Sequence, residues 1–582
     1  MRPLSTLTAA LAGLLLLAAP ASAQSTTATI PNVISNNLVL DANQVYLLDG
    51  ETYVEAGASI TIPAGTIIKG ALTPSAGKGQ ASVLVIQRGG QILANGTADA
   101  PVIFTSDRDN VADPFDLSES SRGLWGGVVV LGNATNNRGE RTIEGIPATA
   151  RTTYGPTAAG GAFPLDDDDN SGVMRYVSIR HAGFTLTADA EINGLTLGAV
   201  GRGTTLEYIE VFANSDDSFE FFGGTVNAKY LVGAFSGDDD IDWDTGYTGK
   251  LQYVFSIKDQ SGDVGRCIEG DGSASPFTAT PMSSPVVSNL TCVGSGLGSS
   301  PGGSDAGGPT FALRDNTGGF IYNSVLTQFQ TDRGGIDLEP AADVPNPDAT
   351  TSTQQNFFDG ELDIRNNIFF DFSVGNTAAA IVRRDNAQLE AEIDARNRFV
   401  SPGLVYVLDG PNAGDDARDQ DGVLDPRPGS SAAAASGAAF NVGKLSGDTF
   451  FDTVDYLGAF APAPAPVWTR GWTAMSSALY FSEASERATP NELGPVADGF
   501  SLSVGPNPTR GDATVRFSLT EAQNVDIALY DVTGRRVAQV SGTFPAGPGA
   551  VALPTAGLAP GVYVMRFDGP DGRVSQTVSV VR

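Results

Sequence analysis

The chain has 582 residues, with 66 acidic against 35 basic side chains and a net charge of −31. That charge argues against nucleic acid or an anionic membrane as a partner; it favours cations, a salty medium or basic partners, or only keeps a surface protein soluble. With 70 Gly, 34 Pro and few long apolar runs, a chain too long for one ordinary core reads as many short strands and turns.

Residues 1–23 read as a signal peptide. Arg2 supplies the positive start, 11–19 the apolar stretch and Ala21-Ser22-Ala23 the cleavage site, with Gln24 as the mature N-terminus. The apolar run is too short to span a bilayer, and no Cys follows it to carry a lipid. The mature chain is expected to have no transmembrane segment.

From residue 24 to 485 the pattern is one of stacked coils. Val83-Leu84-Val85-Ile86, Pro101-Val102-Ile103-Phe104 and Val128-Val129-Val130-Leu131 are short apolar strands closed by Gly, Asn or Asp. An aromatic–aliphatic anchor then recurs: Tyr176-Val177, Tyr208-Ile209, Tyr230-Leu231 and Tyr253-Val254, the last three at spacings of 22 and 23. More degenerate anchors follow at Asn289-Leu290, Tyr322-Asn323 and Arg365-Asn366. A period of this length indicates a solenoid. Runs of helix formers and a Leu/Asn frame are both missing, so the expected fold is all-β, a right-handed parallel β-helix; an antiparallel β-sandwich is the competing reading. Trp468 and Trp472 are expected to pack onto or cap the last coils, because an open β-helix end must be covered. Residues 486–499 read as a linker.

Aligned on these anchors, Asp217, Asp240 and Asp263 fall at one point of successive coils, with Asp216 and Asp239 beside them. Stacked strands lie about 4.8 Å apart, so neighbouring carboxylates repel by about 3 kcal/mol at an effective dielectric of roughly 20. Either Ca2+ relieves this, held by Asp216, Asp217, Asp239, Asp240 and Asp263, or the side chains splay into water. Asp166-Asp167-Asp168-Asp169-Asn170 reads as a solvated loop, and 415–422 as a calcium-loop pattern that fails at Ala417. Cys267 and Cys292 lie about one repeat apart, and in an exported protein such a pair readily bonds. The strand register puts Cys292 beside Ser256 and Cys267 on a later side of its coil, which would hold them apart. Both outcomes stay open.

Catalytic signals are thin. His181, the single histidine, follows the end of a coil strand and reads as structural. A polysaccharide lyase would need a base such as Arg266 or Lys258 near the acidic cluster, and a glycoside hydrolase a carboxylate pair drawn from Asp217, Asp240 or Asp242. Fold alone decides neither.

Residues 500–582 carry Pro506-Asn507-Pro508, Tyr530-Asp531-Val532-Thr533-Gly534-Arg535 and Leu558-Ala559-Pro560-Gly561-Val562-Tyr563 among short alternating strands. The strands predict a small antiparallel Ig-like β-sandwich. In this order the three motifs resemble the C-terminal sorting domain of the type IX secretion system of Bacteroidota-like bacteria. That resemblance implies contact with the secretion machinery, and a cell-surface or extracellular destination. The segments 61–70, 125–132, 171–177, 191–198 and 221–229 resemble a group of secreted β-helix proteins from the same bacteria, with no established activity. The resulting expectation is an exported structural or adhesive protein contacting glycans or surface proteins, with a carbohydrate-active enzyme on the same scaffold as the alternative.

Overall fold

The computed structural model describes residues 26–185, 192–263, 265–273, 275–303, 307–332, 334–344, 351–384, 386–407, 422, 424–482, 501–505, 509, 511–519, 522–531, 536–569 and 572–580. The expected signal peptide, the 486–499 linker, the acidic stretch 415–421, Pro506-Asn507-Pro508 and residues 532–535 lie outside them. The chain divides into two compact units, Met1–Ala463 with Val467–Ser482, and Pro464–Pro466 with Glu483–Arg582.

In the first unit, two large sheets of 16 and 10 strands run through the described residues. Neighbours within them are parallel, as in Thr205–Phe212 against Ala228–Ala234 and Phe219–Phe222 against Ile241–Asp244. Each coil gives a long strand to the first sheet and a short one to the second: Ala228–Ala234 then Ile241–Asp244, Lys250–Ile257 then Ile268–Asp271. A single coil cannot bury its inner face, but stacked coils can. Leu206, Ile209 and Val211 from one sheet meet Phe219 and Phe221 from the other in a core that runs from Ile30 to Ile393. The unit is all-β with mostly parallel strands in large sheets, the arrangement of a parallel β-helix.

The tyrosine anchors mark a bend. Tyr176, Tyr208, Tyr230 and Tyr253 have left-handed φ of 48, 56, 60 and 61°, and Asn289, Asn323 and Asn366 continue the column at 58, 53 and 58°. Asn tolerates this conformation by bonding locally. The tyrosines are held there by ring stacking, with successive centroids 4.4, 4.2 and 4.8 Å apart.

Helices Thr353–Asp359, Ala378–Ile381 and Ala387–Arg396 contribute Phe357, Ile381, Leu389 and Ile393 to the end of the core. Trp468 and Trp472 do not cap that end. Residues 433–463 and 467–482 form a strap that runs back along the outside of the first sheet. Gly437 O accepts from Asn366 Nδ2 at 2.9 Å, Tyr456 O from Asn289 Nδ2 at 3.1 Å, and Ala474 N donates to Glu210 Oε2 at 2.6 Å. The two tryptophans thus stand edge-on to Tyr208, at 6.4 and 6.2 Å, in the middle coils. The stacked tyrosines present an apolar stripe there that flat indoles cover.

The second unit is antiparallel: a three-stranded sheet (Ser501–Gly505, Ala513–Leu519, Gly547–Leu553) and a four-stranded one (Arg536–Phe544, Gln523–Asp531, Gly561–Gly569, Gly572–Val580). Val515 and Phe517 from the first share a core with Ile527, Leu529, Met565 and Phe567 from the second. The strand 547–553 was not legible in its Gly-Pro-rich sequence. Among the described residues no helix is long and apolar enough to cross a membrane.

Candidate functional site

Side chains alternate between the two faces of a strand, so the second sheet presents outward columns that can be read coil by coil. In the early coils Tyr53, Val85 and Val129 point outward and are covered by Ile143, Ile146 and Tyr154 from the long connection after Gly127–Leu131. Beyond that cover the face turns acidic. Thr196, Glu220, Asp242 and Glu269 form one column, and Phe222, Asp244, Asp271 and Arg314 form the next. At the preceding turn, Asp239 N donates to Asp217 Oδ1 at 2.8 Å.

Carboxylate oxygens of Asp217, Glu220 and Asp242 all lie within 4.8 Å of one another, and so do those of Asp216, Asp217 and Asp238. Burial, then the neighbouring like charges, pushes Asp217, Glu220 and Asp242 well above the ordinary carboxylate range. None of these three has an ion-pair partner among the described residues. Glu220 accepts from Asn193 Nδ2, while Asn193 Oδ1 and Asp242 Oδ1 are buried without a hydrogen-bond partner. The cluster is closed on one side by cations: Arg266 reaches Asp239 Oδ2 at 3.2 Å and Glu269 Oε1 at 2.8 Å, and Arg314 reaches Glu269 at 2.7 Å and Asp271 at 3.0 Å. Burial still raises Glu269 to about 8 and Asp244 to about 6.

A cleft of about 270 Å³ opens beside the second column, lined by Arg138, Arg141, Glu144, Tyr154, Phe222 and Asp244 among others. Tyr154 and Phe222 are buried, their rings 6.1 Å apart. The guanidiniums of Arg138 and Arg141 have no ion-pair partner among the described residues. Two cations without an ion-pair partner among the described residues and the half-buried Asp244 thus line one cleft.

Residues 32–398 match the family model described as a pectate-lyase-like β-helix domain. The chain belongs to this family. Residues 503–581 match the secretion system C-terminal sorting domain, which indicates contact with the type IX secretion machinery and export to the cell surface or the extracellular space. No curated protein matches the chain.

On this pectate-lyase-like β-helix, several sequence-derived site residues stand elsewhere than expected. The register pairs Phe219 with Ile241, a step of 22 residues, not 23. Asp239 therefore stacks on Asp217, and Asp240 is turned to the other face, since a one-residue slip inverts a strand's side chains. Asp240 lies inside, fully buried with Lys258 Nζ at 3.0 Å and Ser218 Oγ at 2.9 Å. Neither Asp240 nor Lys258 can meet a ligand in the groove, which removes one expected carboxylate and one expected base. Asp263 leaves the column altogether. It lies in an insertion, Ser261–Asp263, that pairs with Ser300–Gly302 in a separate sheet. Arg266 is at the groove but is engaged by two carboxylates.

Cys292 sits beside Ser256 in the register, and a disulfide joins it to Cys267 with Cα atoms 6.4 Å apart. His181 is buried, with Nδ1 2.7 Å from Ser121 O and its ring edge-on to Phe212; burial pulls it down to about 4. The 166–170 loop is exposed at Asp166, Asp168 and Asn170, as expected of a solvated loop, and is also anchored: Asp167 Oδ1 accepts from Thr135 N at 2.8 Å, and Arg202 Nε donates to Asp168 Oδ1 at 2.7 Å. Sequence reasoning missed Glu220, Arg138 and Arg141 as site residues. The alternation Phe219-Glu220-Phe221 was a legible signal for an outward Glu220, whereas the arginines sit on an insertion without a repeat to place them.

Proposed function

We propose that this exported β-helix acts by contact at the cell surface or beyond it, holding a glycan in the groove outside its second sheet. The observation that carries this reading is the pair Arg138 and Arg141, which line the cleft without an ion-pair partner among the described residues. Guanidiniums suit the carboxylates of acidic sugars. Ca2+ completes the reading. Asp217, Glu220 and Asp242 offer the oxygen ligands a hard cation takes, and buried, unpartnered Asp242 Oδ1 fits that role. Asp216 and Asp238 offer a second triad with Asp217. Right-handed winding is favoured by the handedness of parallel crossovers, and the seven antiparallel strands of the tail suit an Ig-like sandwich.

The second reading is a carbohydrate-active enzyme. Family membership favours it, as do Asp244 and Glu269, which burial raises to about 6 and about 8 and so keeps partly protonated near neutrality. One experiment separates the two. Mature protein is offered a panel of acidic and neutral glycans, with and without chelator, while binding and chain scission are both followed. Calcium-dependent retention of acidic glycans without scission, lost in Arg138→Ala/Arg141→Ala, is the expected result. Scission at catalytic turnover would favour the enzyme, and no retention of any glycan would remove the contact reading.

A further inference from the structure

One pair of charged side chains is turned away from the groove and takes no part in it. Asp240 precedes the second-sheet strand Ile241–Asp244, and Lys258 follows the first-sheet strand Lys250–Ile257. Lys258 Nζ stands 3.0 Å from Asp240 Oδ2, with the two side chains 1 % and 0 % exposed. Both carboxyl oxygens accept from serines: Oδ1 from Ser218 Oγ at 2.9 Å, and Oδ2 from Ser256 Oγ. The carboxyl also lies against Gly233, where an added Cβ would stand 2.8 Å from Asp240 Cγ, so a side chain there would displace it. Nζ donates to Asp238 O at 2.7 Å, which fixes the amine beside the carboxyl. Burial pushes the Asp240 carboxyl above its ordinary range, against the pull of Lys258 and the serines, and so toward its protonated form.

We propose that Asp240 and Lys258 condense to an intramolecular isopeptide bond, which locks the turn at Asp240 to the end of the first-sheet strand. The step needs no oxidant and no second reactant. Proton transfer from the ammonium to the carboxylate gives an amine and an acid, and a dry interior disfavours the two charges that this removes. Nζ then adds to Cγ. The Ser218 hydroxyl donates to the charge that develops on Oδ1, as a donor aimed at an oxyanion does, and the Ser256 hydroxyl faces the departing Oδ2. The Nζ–Cγ bond forms and the Cγ–Oδ2 bond breaks. Two of the three ammonium protons leave with Oδ2 as water, and the amide nitrogen keeps the third. The reactants are already in contact, and fixed geometry of this kind reaches effective molarities of roughly 10^5–10^8 M. Exclusion of bulk water then protects the product from hydrolysis.

The test is peptide mass spectrometry on the mature full chain, folded, then denatured, reduced, alkylated and digested with trypsin. Trypsin does not cut after an acylated lysine. The expected result is therefore a branched product in which residues 230–250 are joined through Asp240 to Lys258 within 251–266. It should be lighter than the two unjoined peptides by one water, and fragmentation should place the link at these two side chains. Lys258→Arg and Asp240→Ala should each give linear peptides at full mass. The decisive reading is made on the wild type, so it stands whether or not the variants fold. Only linear peptides from the wild type, cut after Lys258, would overturn the bond. So would a dehydrated 230–250 peptide that is not joined to Lys258, which is the mark of a succinimide at Asp240.

Discussion

At the scale of single residues the groove is a set of carboxylates whose folded-state proton affinity is raised. Asp217, Glu220 and Asp242 are all shifted upward, Asp244 to about 6 and Glu269 to about 8. The folded protein therefore holds more protons than the unfolded chain between the ordinary carboxylate range and about 8, so stability falls as pH rises through that window. In chelator, the melting temperature should be higher at pH 5 than at pH 8, and calcium should flatten the slope; a melt that rises with pH in chelator would contradict the assignment. Asp242→Asn should stabilise the protein in chelator by about 1–3 kcal/mol, from relieved burial of charge and repulsion, seen as a higher melting temperature, and abolish the calcium response. The inward pair behaves oppositely. Lys258→Met strands the Asp240 charge in the core and should lower stability by about 3–5 kcal/mol in chemical denaturation, an effect calcium cannot repair.

At the scale of elements the tyrosine column and the strap support each other. Tyr208 stacks between Tyr176 and Tyr230 with Trp468 and Trp472 edge-on, and its backbone is left-handed. Tyr208→Asn, the residue type that occupies this column at 289, 323 and 366, should lose the stacking but keep the bend. Tyr208→Val should cost about 1–2 kcal/mol more by urea denaturation, because β-branched residues resist that conformation. Equal losses would mean that the bend carries no strain. This element also shows what was legible. The Tyr208, Tyr230 and Tyr253 spacing revealed the coil, since stacked coils must repeat their anchors. The same spacing misphased the acids, because a fixed period of 23 steps over the 22-residue coil and inverts Asp240. The strap was not legible: its contacts join residues far apart in the chain, such as Asn289 with Tyr456, and no local pattern encodes them.

At the scale of the molecule, one sheet is occupied by the chain's own strap and the other is the face proposed to meet a ligand. The first sheet's outer stripe is aromatic and amide-rich and is covered internally. The apolar cover of the second sheet by Ile143, Ile146 and Tyr154 lies over its early coils, and the acidic columns follow in the coils after it. Charge is thus concentrated where the proposed cation would bind, on a scaffold whose tail directs it out of the cell. The most direct measurement is anomalous diffraction from crystals of the mature protein soaked in a calcium-mimicking lanthanide. The account predicts a strong anomalous peak coordinated by Asp217, Glu220 and Asp242. No peak within that triad, with lanthanide bound only at scattered exposed carboxylates, would contradict it.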